Sequence, residues 1–515
     1  MKSFKTLILA AATLAGAFAM TAARAADAPY TAQVQSGALR GVLDGDVAGF
    51  KGIPYAAPPI GPLRWRAPQA PAAWSGVRDA DKYGAICTQK FDGKDNGVGA
   101  LPMSEDCLTL NVWSPVSGPR KGLPVMVWIH GGGFVNGSGT AALYDGSNLA
   151  RQGVVVVTIN YRLGRFGFFA HPALTRENPN GPLVNFGIMD EIAALKWVKA
   201  NIAAFGGEPA DVTIFGESAG GIAVNNLMVS PAARGLFVRA IVESGAGRNE
   251  SLRMREPNVV GSEGAEAQGV AFAKALGVTS DDPAALRALS AEQIIAQPDF
   301  SPFNGGVTID GKIVTMDVDE GFARGAEAKV PYIIGSNGLE FPVPATALDN
   351  YLGGMLHVAV PRRAKLEAAY GDKTAFEQNI VSDIIFTEPA RHLAALHAKN
   401  GQPTWLYRFT AMSPAIRGVL HGAPHASERQ YVFKTLNTSP WPSGGNDAAV
   451  AEVMSAYWVS FAKTANPNGA GRPAWPTYDA APDHLLDFTN DGPAAAPIPH
   501  GDRLDAIAAD YPKGR

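Results

Sequence analysis

Residues 211–224 read DVTIFGESAGGIAV, a short apolar run, a sharp turn and the opening of a helix. Val212, Ile214 and Phe215 supply the β-favouring run, and Gly216, Ser218 and Gly220 complete a G-x-S-x-G pattern. A strand that reverses into a helix within a few residues forces the central serine into strained backbone geometry, and its neighbours tolerate little or no side chain. The turn would lift the Ser218 hydroxyl into a site, while the Ala219 N–H, at the helix N-terminus, points at any negative charge that develops there. With 57 glycines in 515 residues the pattern alone is weak evidence, and a glycine turn with a solvated serine explains the five residues equally well. The rest of the chain has to supply partners.

Composition narrows the field. A chain of 515 residues that is 46% hydrophobic and 18% charged can bury a large core, and no linker, low-complexity tract or fixed-period repeat divides it. A single domain over residues 26–515 with long inserted loops is expected. The formal charge of -3 offers no basic stripe for nucleic acid. Residues 1–25 read as a signal peptide: Lys2 and Lys5 form a positive start, Leu7 to Met20 is an apolar stretch, and Ala23-Arg24-Ala25 is an A-x-A cleavage site. Export to the periplasm or beyond is the expectation, with no stable membrane anchor elsewhere in the chain, the C-terminal DAIAADYPKGR included. An exported chain with two cysteines, Cys87 and Cys107, flanking the polar, glycine-rich loop TQKFDGKDNGVGALPMSED is expected to join them, two buried thiols being the alternative. No Cys/His cluster has metal-ligand spacing, so neither a metal nor a cofactor is indicated.

In chain order, Tyr30 to Ala48 predicts short antiparallel strands around a Leu43-Asp44-Gly45-Asp46 turn, and Phe50 to Pro71 a long loop packed on the body, whose Arg64 and Arg66 could pair with acids there but read more readily as solvated. Leu108, Leu110 and Val112 alternate as in a strand; Pro124 to His130 and Val154 to Tyr161 are near-continuous apolar runs of the kind a parallel sheet buries on both faces. Asp190 to Ile202 predicts an amphipathic helix, and Val238 to Gly245 a further strand. Strands and helices in alternation predict a doubly wound, mostly parallel α/β sheet with its site at the strands' C-terminal ends. From about Asn249 to Ala395 helical signals dominate, broken by the strand KVPYIIGSN, and predict a region that covers the sheet and shapes an entrance. Strand signals return at Thr404 to Phe409 and His484 to Phe488.

A serine hydroxyl needs an imidazole base, and the base needs a carboxylate to hold its tautomer. Three glycines after His130 allow close backbone approach, so Gly132 and Gly133 join Ala219 as candidate donors to an oxyanion. Glu340 follows a buried strand and is the candidate acid, with Asp310 and Asp383 as competing positions. His421 and His425 share the loop HGAPHASE, and the chemistry does not choose between them.

With FKGIPYAAPPIGPLRW, SEDCLTLNVW, HGGGF, NYRLGRFGF, FGGEPADVTIFGESAGG and YWVSFAKTANPN in that order, Gln33 to Tyr478 resembles the type-B carboxylesterases, the carboxylesterase and cholinesterase group of α/β hydrolases. The resemblance implies Ser218 as nucleophile, Glu340 as acid and His425 as base, because His425-Ala426-Ser427-Glu428 is similar to the family's H-x-x-E segment ahead of YVF. It also implies an oxyanion hole at Gly132, Gly133 and Ala219, a Cys87 to Cys107 bridge and a small-molecule ester substrate; an apolar acyl or alcohol group on that ester is the default expectation, because such pockets are mostly hydrophobic. The chain departs from the pattern at Ala426, where glycine is usual, at Glu191 and Glu243, where glutamine is common, and at Ala223, in place of a frequent serine. The loop between the cysteines holds Phe91 but no tryptophan, which argues against a choline ester. Glu217, beside the nucleophile, either tunes the field of the site or faces a neighbouring loop. Rival readings are cleavage of an amide, lactone or thioester by the same groups, and a non-catalytic binding or adhesion homologue, against which Ser218, Glu340 and His425 all stand.

Overall fold

The computed structural model describes residues 30–90, 98, 102–118, 121–181, 183–248, 251–257, 263–297, 306–356, 358, 360–509 and 511. The expected signal peptide and Phe91 lie outside the described residues.

Among these, thirteen strands form one sheet. Twelve follow a continuous path: β1 (Tyr30–Val34), β2 (Gly37–Asp44), β3 (Val47–Pro54), β4 (Thr109–Pro115), β5 (Leu123–Ile129), β6 (Val155–Ile159), β7 (Gly207–Glu217), β8 (Arg239–Glu243), β9 (Tyr332–Asn337), β10 (Thr404–Phe409), β11 (His484–Thr489) and β12 (Gly492–Pro497). The order across the sheet is β1-β2-β3-β4-β6-β5-β7-β8-β9-β10-β11-β12, and Val77–Asp79 pairs beside β2. From β6 through β11 every pairing is parallel, while β1 to β4, the β4–β6 pair and β12 are antiparallel. The C-terminal ends of β5, β7, β9 and β10 therefore open onto one edge.

Period-two alternation sorts the side chains into two cores. Along β5, Val125, Val127 and Ile129 face one layer, and Met126 and Trp128 the other; along β7, Val212 and Ile214 oppose Phe215. The first layer is filled by Phe186–Asn201, Ala219–Val229 and Glu388–Lys399, the second chiefly by Asp447–Thr464, whose Met454, Tyr457, Trp458 and Phe461 are fully buried. A fully buried aliphatic or aromatic side chain contributes about 1.5–3 kcal/mol, so burial on both faces explains why the central strands lack polar alternation. A third cluster joins Leu348, Leu366, Phe376, Ile380 and Phe386 to Leu504 and Ile507 of the C-terminal helix Gly501–Ala509, beside the open edge.

Three expectations change. Phe50 to Pro54 is part of β3 rather than loop, because its backbone pairs with β4. Arg64 is not solvated: its guanidinium forks onto Glu105 and donates to the Leu289 carbonyl, while Arg66 pairs with Glu177. The helix expected from Asp190 begins at Phe186 and is buried on most sides, with Asp190 taken up bidentately by Arg162. Its apolar pattern extends almost all round because it is packed between the sheet and neighbouring segments rather than facing water. Strand β9 stands within the region 249–395 as a central strand, so the helices there fall into blocks before and after it.

Cys87 and Cys107 are both buried and form a disulfide across a sequence separation of 20. Cross-linking a loop of that size is worth about 3 kcal/mol. Cys107→Ser is expected to lower the unfolding free energy by about that amount, read as an earlier urea midpoint under non-reducing conditions; an unchanged midpoint would show the bridge adds nothing.

Candidate active site

The junction of β7 with Ala219–Val229 positions the serine. Ser218 has φ 55° and ψ -123°, a conformation an L-residue keeps only under external restraint, at a cost of about 1–3 kcal/mol. Its N–H donates to the Glu243 carbonyl at 2.9 Å, and its carbonyl accepts from Ile222 N–H at 2.8 Å, so both ends of the residue are tied. The flanking glycines are required by close approach: a Cβ on Gly220 would lie 2.0 Å from the Ile129 carbonyl oxygen, and one on Gly216 would lie 2.6 Å from Gly220 carbonyl atoms.

Three loops meet Ser218. His425 Nε2 lies 2.9 Å from Ser218 Oγ, and His425 Nδ1 lies 2.6 Å from Glu340 Oε2. Glu340 is fully buried, and its other oxygen accepts from Ser244 Oγ at 2.7 Å and from Asn337 N–H at 2.6 Å. The His425 N–H donates to the Glu340 carbonyl at 2.8 Å, which locks the two loops together. The structure thus brings together Ser218, His425 and Glu340 and leaves the competitors elsewhere. Asp310 is engaged by Asn185 and by its own turn, and Asp383 by Tyr370 and Arg503; among the described residues no hydrogen bond or ion pair joins His421 to the group.

The glycine loop after β5 packs directly on the elbow. A Cβ on Gly131 would stand 3.0 Å from Ser218 Cβ, and Gly132, at φ 106°, accepts from Val135 and Asn136 N–H through its carbonyl. That turn is held from beneath: His130 stacks on Tyr161, whose hydroxyl donates to the His130 carbonyl, and Gln89 exchanges two hydrogen bonds with Gly137. Ala219 is the first residue of its helix, where backbone N–H groups have no intrahelical acceptor.

The electrostatics are dominated by buried acids. Glu217 Oε1 lies 3.2 Å from His425 Nε2 and its Oε2 3.9 Å from Arg429 Nη1, which settles its orientation toward the imidazole. Glu428 is fully buried and accepts from Asn337 Nδ2 at 2.6 Å; Glu243 is fully buried and accepts from Trp458 Nε1 at 2.7 Å. Burial by itself would push the His425 imidazole down, but the Glu217 charge, the Glu340 hydrogen bond and charge, and the Glu428 charge together push its pKa up to about 9. Burial, with the Glu217 and Glu340 charges, pushes Glu428 well up, and burial with the Glu428 charge does the same to Glu243. One face of the His425 ring lies against Phe341 and Phe386, at centroid distances of 4.7 and 4.9 Å. Sequence reasoning missed Arg429, Asn337, Ser244 and both phenylalanines; only Phe341, next to Glu340, carried a positional hint. Among the described residues no group of three or more His, Cys, Asp or Glu is placed to hold a metal.

Residues 28–353 and 364–500 match the profile of the carboxylesterase family. The chain is 39% identical over 492 residues to the fumonisin B1 esterase of Sphingopyxis macrogoltabida, covering 90% of this chain and 87% of that protein. It is 36% identical over 479 residues to the para-nitrobenzyl esterase of Bacillus subtilis (strain 168), covering 86% and 91%. A solved PNB esterase structure superposes with a TM-score of 0.81 at 33% identity, over 93% of this chain and 99% of that one. A family profile that spans most of the chain, esterase relatives over nearly their whole length and an α/β-hydrolase fold agree: this chain belongs to the carboxylesterase family and is a carboxylic ester hydrolase.

Proposed function

We propose that Ser218, His425 and Glu340 carry this ester hydrolysis through an acyl-enzyme, and the observation that supports it best is the unbroken chain Ser218 Oγ, His425, Glu340 at 2.9 and 2.6 Å. Ser218 Oγ attacks the ester carbonyl as His425 Nε2 takes its proton. The imidazolium returns that proton to the departing alcohol, and water repeats the sequence on the acyl-enzyme. Glu340 orients the ring through Nδ1. The N–H groups of Gly132, Gly133 and Ala219 stabilise the oxyanion, each such donor being worth about 3–4 kcal/mol in the transition state. Phe341 and Phe386, lying against the base, give the substrate an apolar wall, in keeping with an ester whose acyl or alcohol group is apolar.

Residues 26–515 act as one catalytic domain, and residues 1–25 direct the chain out of the cytoplasm. The Cys87–Cys107 bridge supports export, because such bridges persist in oxidising compartments.

Ser218→Ala is expected to reduce p-nitrophenyl ester turnover by about 10⁴-fold or more while the folded spectrum is retained. Turnover within tenfold of the native rate would remove Ser218 from the mechanism. Comparison of acyl chain lengths on the native protein sizes the apolar wall.

The base must be neutral to accept the Ser218 proton, so kcat/KM rises as pH climbs through the His425 pKa. Because neighbouring acids hold that pKa above the ordinary imidazole value, the rising limb is expected well to the alkaline side of 6.5. Glu217→Gln, which removes the largest of the raising charges, moves the limb to lower pH in a kcat/KM profile. A limb that stays put would mean Glu217 is uncharged in the working enzyme.

A further inference from the structure

We propose that Arg429 is a positioning residue that holds the His425 loop in a backbone conformation it would otherwise leave. The inference rests on the reading of His425 as base.

The residue after His425 is Ala426, with φ 66°, in the left-handed region that side chains disfavour. A relaxation of Ala426 to negative φ would turn the peptide that joins it to His425 and carry the imidazole off Ser218. Arg429 prevents this: its Nε donates to the Ala426 carbonyl at 2.8 Å. The other end of the same guanidinium is anchored, with Nη1 donating to Tyr144 Oη at 2.8 Å. Tyr144 is itself fixed by packing, buried against Trp128 and Phe433 at 5.0 and 5.6 Å between ring centroids. Phe433 ends the short helix Arg429–Phe433 that Arg429 itself begins, and it also packs on Trp128 and on Phe215 of β7, the strand that leads to Ser218. The guanidinium therefore ties the base loop to the nucleophile's strand.

Charge strengthens the tie. Arg429 Nη1 is 3.9 Å from Glu217 Oε2, and the acids Glu217, Glu243, Glu340 and Glu428 crowd this side of His425 with Arg429 as the paired cation. The planar fork can reach the Ala426 carbonyl, the Tyr144 hydroxyl and Glu217 at once. A lysine ammonium at that place keeps the charge but is a point donor on a flexible stem, and cannot reproduce the set.

The test separates the clamp from the base assignment. Arg429→Lys and Arg429→Gln are made in the native chain and in an Ala426→Gly background, beside His425→Ala, with ester kinetics on each. Glycine takes positive φ as readily as negative, so the loop is less dependent on the clamp in that background. In the native background Arg429→Lys is expected to lower kcat about tenfold with KM within about twofold; in the Ala426→Gly background the same change costs less than about threefold. Arg429→Gln, which also removes the positive charge facing Glu217, moves the rising limb of kcat/KM to higher pH, and Arg429→Lys leaves the limb in place. Tyr144→Phe, which keeps the buried ring, reproduces a smaller kcat loss should the arginine variants fold poorly. Equal losses in both backgrounds, or no loss at all, would overturn the clamp. Full turnover by His425→Ala would instead overturn the base assignment beneath it.

Discussion

The backbone of Ser218 is the constraint on which the rest of the site depends. A residue at φ 55° and ψ -123° is held there only if the strand before it, the helix after it and the loops beside it leave no other course. Strand β7 is in register with β5 and β8 up to Gly216 and Glu217, so the chain arrives at the turn with no freedom of direction. The helix departs so close to β5 that position 220 has no room for a methyl group. The glycine loop after β5 can then press on the elbow from above, because Gly131 presents no side chain to Glu217 or Ser218. Sheet register, the two close-packed glycines and the placing of the glycine loop are consequences of one turn.

A second consequence is electrostatic. The groups behind this turn are carboxyls: Glu217, Glu243, Glu340 and Glu428 are all buried. Four charges confined in such a volume with one imidazole and one guanidinium do not all ionise, and burial accordingly pushes Glu243 and Glu428 toward their neutral forms. Glu340 is treated differently by its surroundings, since it accepts from Ser244 Oγ, Asn337 N–H and His425. Three donors on one carboxylate fix its orientation against the His425 ring. Hydrogen-bond supply, rather than distance alone, distinguishes Glu340, the proposed orienting acid, from the acids around it.

Much of this was legible in the chain for physical reasons. Buried parallel strands need continuous apolar runs, and Pro124 to His130 and Val154 to Tyr161 display them; elbows need small residues, and Gly216 and Gly220 mark the place. Ser218 and Glu340 follow from strand ends, whereas the choice of His425 over His421 came only through family resemblance, because two histidines four apart in one loop cannot be separated without knowing where the loop turns. Arg64 and Arg429 were illegible for another reason. An arginine's role is decided by the acceptors that face it, and Glu105, Leu289, Ala426 and Tyr144 reach their guanidiniums from distant stretches or from within a loop whose path local sequence does not disclose. Period alone also misjudged the helix Phe186–Asn201, since a helix covered on nearly all sides no longer shows a polar face.

The acid loop and the helices beside the open edge are also joined. The N–H of Phe341, the residue after Glu340, donates to Ser382 Oγ at 3.1 Å, and the next residues, Asp383–Thr387, form a π-helical turn that delivers Phe386 to His425. Asp383 at the start of that turn is held by the Tyr370 hydroxyl and by Arg503 of the C-terminal helix. A π-turn is a local widening of the helix that persists where neighbouring packing requires it. Here that packing includes Phe341 on Phe386, at 5.6 Å, with both rings against the imidazole. On the proposed function, the groups that shape the apolar wall are also the groups that pack the base, and a substitution that enlarges the wall also loosens His425. Under that proposal specificity and rate are coupled through shared aromatic contacts, so selection for a bulkier ester has to act on side chains beyond Phe341 and Phe386 if the alignment of His425 with Ser218 is to be kept.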